Sequence, residues 1–118
     1  MYRITDAGNY YQVEINGSTR EDLMEAILAA ADFPGYLERP AIWIFGEKSY
    51  QIQLKDLQDI AIHARTQYAA VARVPRRAIV VSPGLNAGYA EIYAQDINLP
   101  YELKIFHGLK GAEDWVLS

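Results

Sequence analysis

The run Ala41-Ile42-Trp43-Ile44-Phe45 is short, apolar and without polar alternation. A strand covered on both of its faces has this pattern. A second run of the same kind, Ala78-Ile79-Val80-Val81, follows later in the chain. Between the two, residues 54–72 carry apolar side chains at helical spacing. Two buried strands joined by a helix predict a parallel pair with a right-handed crossover, which indicates an α/β protein.

The flanking segments extend this alternation of strands and helices. Residues 2–5 and 11–16 alternate in polarity around a turn at 6–9, which predicts a hairpin. Thr19-Arg20-Glu21-Asp22 has the spacing of a capping box and predicts the start of the first helix. A third helix is expected after Ser82-Pro83-Gly84, an edge strand at 101–106 and a last helix near Trp115. The predicted order β-β-α-β-α-β-α-β-α makes residues 1–118 one domain, with a mixed five-stranded sheet that is antiparallel only at its first strand.

Composition excludes several classes of function. The 118 residues are 51% hydrophobic and 22% charged, as in ordinary globular domains. The net charge of −4 argues against a nucleic-acid partner. Because cysteine is absent, disulfides, thiolate catalysis and cysteine-based zinc sites are excluded. No signal peptide is visible and no apolar run is long enough to span a bilayer, so we predict a cytoplasmic protein without a transmembrane segment.

Three parts of the chain have a pattern known from other proteins: 77–82 with 88–93, 103–106 with 113–116, and 54–57. They resemble the SpoIIAA-like (STAS-type) domain family, which is structurally akin to the CRAL-TRIO lipid-exchange domains. The resemblance implies the same fold, and either a regulatory binding role or, through the lipid-exchange relatives, lipid binding. Anti-sigma-factor antagonists of this family carry a phosphorylatable serine in an Asp-Ser-x-Gly-hydrophobic motif where the second helix begins. The matching residues 51–57 contain neither a hydroxyl nor a glycine, so a phosphoserine switch is not expected.

Motifs of catalysis and of cofactor binding are missing. The chain shows no nucleophile elbow, phosphate loop or dinucleotide fingerprint, so we expect no enzyme activity and no cofactor. The two histidines are His63 and His107. His63 falls on the predicted polar face of the second helix, four residues after Asp59. This pair could hold a metal in principle, but an ordinary surface pair is the favoured interpretation, and no metal is expected.

Two other residue classes leave alternatives open. The only concentration of basic residues consists of Arg65, Arg73, Arg76 and Arg77. These arginines could bind an anionic lipid or an acidic partner. The favoured interpretation is that they are solvated side chains near a helix end. The nine tyrosines are typical of interfaces and amphipathic pockets, but also of half-buried sheet surface.

A ligand site is predicted where the two buried strands end. Ligands of open parallel sheets bind beyond the carboxyl ends of strands, and helix N-termini there favour anions. Helix capping by Ser82 explains part of the same pattern without a ligand. We expect a cleft there that is apolar below and polar at its mouth. If the protein binds lipid, a swing of the second helix on residues 46–53 opens the cleft to an acyl chain; if it is a binding module, the cleft stays closed and partners contact the surface. The candidate ligand-binding residues are Lys48, Ser49, Tyr50, Leu54, Ser82, Gly84, Asn86 and Tyr89.

The sequence therefore predicts a non-enzymatic binding or regulatory domain, acting through protein–protein contacts or a small amphipathic ligand. A homodimer is expected, because the polar hairpin face of Gln12, Glu14 and Asn16 and the many tyrosines need half-buried sites. The alternative is a lipid-binding protein or one in peripheral contact with a membrane.

Overall fold

The computed structural model of the chain describes residues 2–17, 19–47, 52–96 and 99–118. Its strands are β1 (Tyr2–Asp6), β2 (Tyr11–Ile15), β3 (Ala41–Phe45), β4 (Arg77–Val80) and β5 (Leu103–Phe106). Its helices are α1 (Arg20–Ala31), α2 (Leu54–Tyr68), α3 (Leu85–Ala94) and α4 (Leu109–Val116), with a 3-10 turn at Tyr36–Glu38 before β3.

The five strands lie in the order β1-β2-β3-β4-β5, antiparallel at the first pair and parallel at the other three. The predicted mixed sheet and element order are thereby confirmed. Each connection between parallel strands leads to the adjacent strand, and all three proceed in the same direction across the sheet. Right-handed crossovers of this kind place α1, α2 and α3 together on one face of the sheet, and α4 packs on the other.

Local patterning accounts for the first elements. In β2, Tyr11, Val13 and Ile15 are buried, as the alternation predicts. The N-cap of α1 is Thr19, whose side chain accepts the Asp22 backbone N–H while the Asp22 carboxylate accepts the Thr19 N–H. The predicted capping box is therefore present, and it satisfies N–H groups that the first turn of a helix leaves unpaired.

Burial of β3 is less complete than predicted, whereas β4 is largely buried. Ala41 and Ile42 are buried, but the remaining residues of β3 are half-buried. Trp43 and Phe45 face α1, α2 and α3, whereas Ile44 lies on the back face, where the eight-residue α4 packs on β3, β4 and β5. A helix of two turns is too short to cover these strands from end to end.

Two predicted boundaries were wrong. The second helix ends at Tyr68 rather than near Ala72, and β5 begins at Leu103 rather than Tyr101. In both places a side chain has a hydrogen-bond partner in another element of the fold. The Tyr68 hydroxyl accepts from Arg77, and the Tyr101 hydroxyl contacts that of Tyr93. Such contacts override a pattern that is read from neighbouring residues alone.

Helix α2 stands away from the sheet. Its backbone comes close to α3, whereas α1 and α3 each approach a strand closely. The space beneath α2 is occupied by large side chains, among them Trp43, Tyr36 and Tyr68. A helix held off by aromatic rings leaves a gap in the interior. In the described part of the chain, no helix has the length and apolar character needed to cross a membrane.

Candidate functional site

A half-enclosed cavity of about 120 Å³, the main cavity, lies between the sheet and helices α1, α2 and α3. Its walls are mostly apolar. The described residues around it are Leu23, Ile27, Tyr36, Trp43, Phe45, Ile52, Leu57, Ile60, His63, Ala64, Gln67, Tyr68, Arg77, Ile79, Asn86, Tyr89, Ala90, Tyr93, Tyr101 and Leu103. An apolar pocket with a few converging polar groups is the usual form of a small-molecule site.

The principal polar group of the cavity is Arg77, which is only 3% exposed. It is the first residue of β4, and its neighbour on β3 is the small Ala41, which leaves room for the guanidinium. Its Nη2 donates to the Tyr36 carbonyl at 2.9 Å, and its Nη1 donates to the Arg39 carbonyl. Both Nε, at 2.9 Å, and Nη2 donate to the Tyr68 hydroxyl. One side chain thus ties β4 to α2 and to the 3-10 turn.

No carboxylate balances the charge of Arg77 within the described ranges, because none of their ion pairs includes it. Carbonyl and hydroxyl oxygens solvate the guanidinium instead. Its Cζ also lies 4.7 Å from the ring centroid of Tyr36 and 5.3 Å from that of Tyr68, within the range of cation–π attraction. A buried charge without a counter-charge is costly, so the fold retains one here at a price in stability.

Further tyrosine hydroxyls adjoin this arginine. The Trp43 indole N–H donates to the Tyr36 hydroxyl at 2.9 Å. The hydroxyls of Tyr93 and Tyr101 lie 2.6 Å apart, and the Tyr101 ring packs edge-on to that of Tyr68, with 5.4 Å between centroids. We call Tyr36, Tyr68, Tyr93, Tyr101 and Arg77 the tyrosine–arginine cluster. At these positions the many tyrosines of the chain are therefore explained as the lining of a pocket, with their hydroxyls hydrogen-bonded.

Burial keeps these phenols neutral. Desolvation raises the pKa of Tyr93 from 10.0 to about 12 and that of Tyr101 well above its ordinary value. It also raises the pKa of Tyr36 and Tyr68, against the opposing effect of the Arg77 charge. The hydroxyls therefore keep their protons and can donate hydrogen bonds at neutral pH.

These shifts predict alkaline destabilisation. The Tyr93 phenol has a higher pKa in the folded protein than in the unfolded chain, so the unfolded chain loses this proton first as pH rises. The contribution of the neutral phenol to folding stability is therefore fully present below the unfolded pKa of 10.0 and is lost as pH rises towards about 12. Urea unfolding at stepped alkaline pH, with phenolate absorbance recorded in parallel, should show stability falling across this interval. Titration of every tyrosine near its ordinary pKa in a protein that stays folded would contradict the prediction.

The side chain of His63 lies in the cavity wall rather than on a solvated surface, so its predicted outward position was wrong. Its Nε2 is buried and has no hydrogen-bond partner in the described structure. Gln67, one turn later, also lines the cavity. Because α2 stands off the sheet, half-buried residues at the flank of its apolar stripe form part of the cavity wall.

The predicted ligand-binding residues are only partly brought together. Lys48, Ser49 and Tyr50 lie outside the described residues, as does half of the expected hinge at 46–53. Leu54 is 59% exposed and is not among the residues that line the main cavity. Asn86 and Tyr89 do line it.

Ser82, Gly84 and Asn86 border a separate surface depression of about 320 Å³ where β3 and β4 end. The Asn86 amide donates to the Gly46 carbonyl at 3.4 Å and links these strand ends. The N-cap of α3 is Gly84, without a side-chain cap, so capping by Ser82 was wrong. Since the strand order never reverses, the sheet has no topological switch point to deepen this depression.

The sequence prediction missed Arg77, which was grouped with solvated arginines. The available signal was its position directly before an apolar strand, in a chain rich in tyrosine. An arginine there must either leave the sheet or find acceptors inside. Besides the adjacent Arg76 carbonyl, the acceptors are two carbonyls at the 3-10 turn, 38 and 41 positions away, and the Tyr68 hydroxyl at the end of α2.

In the ranges that the structure describes, no group of three or more His, Asp or Glu side chains could hold a metal ion. Comparison with protein-family models, with curated proteins and with solved structures finds no match to this chain.

Proposed function

We propose that this protein is a non-enzymatic binding domain that takes a small amphipathic molecule into the main cavity. The observation that carries the proposal is an apolar, half-enclosed cavity whose wall holds a buried cation and two tyrosine hydroxyls, of Tyr36 and Tyr68, that accept hydrogen bonds but have no acceptor for their own protons in the described structure. Close packing normally leaves few voids larger than a water molecule in a domain of this size. A gap maintained beneath α2 favours a role in binding.

The size of the cavity favours a small ligand over a lipid. An apolar cavity of about 150 Å³ admits benzene. The main cavity, at about 120 Å³, is of similar size and would not hold a long acyl chain without movement of α2. Lipid binding therefore stays the second candidate, and it requires a more open conformation.

Native mass spectrometry of freshly purified protein, with thermal unfolding in a panel of small amphipathic compounds, tests the proposal. A compound at one hundred times its Kd stabilises the fold by about 2.7 kcal/mol. We expect the variant Ala64→Phe, which puts a phenyl ring into the cavity wall, to lose this stabilisation. Ala64 is buried on α2 and lines the cavity.

Ala69→Phe is the matched control, because Ala69 is exposed just after the same helix. It should respond to ligand as the parent does. Equal stabilisation of the Ala64→Phe variant would place binding elsewhere. A panel without any stabilising compound, together with a mass spectrum of bare protein, would overturn the proposal.

We further propose that the chain belongs to the SpoIIAA-like (STAS-type) family. The mixed sheet, antiparallel only at β1 and β2, supports this assignment. The homodimer and the peripheral membrane contact stay predictions.

A further inference from the structure

We infer that the ligand of the main cavity is a small aromatic monocarboxylate whose carboxylate is held by the tyrosine–arginine cluster. This inference rests on the proposed function and adds the chemical class of the ligand. It follows from the charge of the cavity wall, from its hydrogen-bond donors and from the nature of its apolar surface.

The first argument is charge. The described residues around the main cavity include one cation that is charged at all ordinary pH, Arg77, and no aspartate or glutamate. A cationic ligand would add to an uncompensated positive charge at low dielectric, which costs energy. A single negative charge would neutralise it. One buried cation therefore matches a monoanion.

The second argument is the surplus of donors. The Tyr68 hydroxyl accepts from Arg77, and the Tyr36 hydroxyl accepts from Trp43, but neither has an acceptor for its own proton in the described structure. The Tyr93–Tyr101 pair likewise has two protons and one internal hydrogen bond. A carboxylate offers several lone-pair sites and no donor, which complements such a wall.

Position makes the Tyr68 hydroxyl the principal contact. It accepts two hydrogen bonds from a guanidinium, which polarises its O–H bond and makes it a stronger donor. A carboxylate oxygen at this hydroxyl would also be close to the Arg77 charge without displacing the hydrogen bonds that Arg77 makes to the protein. The ligand can thus enter a cluster whose structure is already complete.

The third argument is the apolar wall. Besides the cluster tyrosines, Trp43, Phe45 and Tyr89 contribute aromatic side chains to it. Aromatic rings pair edge-to-face or in offset stacks and gain about 0.5–1.5 kcal/mol beyond area burial. The volume suits one ring. A ligand with one aromatic ring and one carboxylate matches the single cation, the surplus of donors and the aromatic wall.

Benzoate, toluene and benzylamine share one ring and differ in charge, so they serve as probes of the full-length protein. Their affinities are measured by isothermal titration calorimetry. Trp43 fluorescence reports on the cavity in a Trp115→Phe background, because Trp115 packs on the opposite face of the sheet. We expect benzoate to bind about ten- to a hundredfold more tightly than toluene, because benzoate makes hydrogen bonds through a charged group and toluene makes none. Benzylamine should bind more weakly than toluene.

The variant Tyr68→Phe should lower benzoate affinity about tenfold and leave toluene affinity unchanged, which also shows that the cavity is intact. Tyr10→Phe removes a hydrogen-bonded hydroxyl beneath α4, on the opposite face of the sheet, so it is the matched control and should leave both affinities unchanged. Binding of toluene as tight as that of benzoate would overturn the inference while sparing the proposed function. Failure of both probes in the parent protein, with no stabilising compound in the wider panel, would overturn both.

Discussion

Replacing Arg77 by methionine is expected to lower the free energy of unfolding by about 3 kcal/mol, because each buried acceptor left unpaired costs about 1–3 kcal/mol. The Arg39 carbonyl and the Tyr68 hydroxyl lose their donors, and the cation–π contacts to two rings are lost as well. Relief from burying a charge offsets part of this loss. With total stabilities of about 5–15 kcal/mol, the variant would be close to unfolding.

Urea unfolding of three variants tests this prediction. Arg77→Lys keeps the charge but has its three donors on a single nitrogen. It cannot reach the acceptors at the 3-10 turn and on α2 together, as the planar guanidinium does, so we expect a similar loss of stability. Arg73→Met, at an exposed arginine of the same basic stretch, should change stability by less than about 0.5 kcal/mol. An Arg77→Met variant within about 1 kcal/mol of the parent would show that the cluster does not hold these elements together.

The second large effect is expected at Ile42, which has no exposed surface and packs beneath α4 on the back face of the sheet. Ile42→Ala removes buried methyl groups and leaves a void, which costs about 2–5 kcal/mol. Because Ile42 faces away from the main cavity, ligand affinity of the folded fraction should stay the same.

Ile62→Ala is the matched control for that variant. Ile62 is 53% exposed on α2, so the same truncation there should lower the free energy of unfolding by less than about 0.5 kcal/mol. The higher helix propensity of alanine offsets part of that loss. Equal losses at Ile42 and Ile62, or an altered cavity affinity in the Ile42 variant, would contradict the assignment of the two faces.

Much of the fold was predictable from the sequence, for a physical reason. Strand and helix patterns arise from side chains two to four residues apart, and those spacings are visible without a structure. The alternation in β2, the capping box at Thr19 and the apolar runs of β3 and β4 therefore gave the correct element order. Consistent right-handed crossovers then led from that order to the sheet.

The candidate site was predictable only in part. Asn86 and Tyr89, which both follow the carboxyl end of a predicted buried strand, line the main cavity. The exposed Leu54 does not line it, because the position of its side chain depends on how closely α2 approaches the sheet. That separation is set by the bulk of aromatic side chains from other elements, which no local pattern reports.

Arg77 shows most clearly where local reasoning ends. Composition and periodicity mark it as one of several arginines near a helix end, and from those alone solvation is the cheaper state. Its burial becomes tolerable only because a carbonyl 41 positions away in the chain and a hydroxyl nine positions away meet at its guanidinium. Patterns of neighbouring residues thus suffice for the elements and their order. The main cavity, its buried charge and the inward position of His63 depend on contacts between residues far apart in the chain, which arise only when the elements pack.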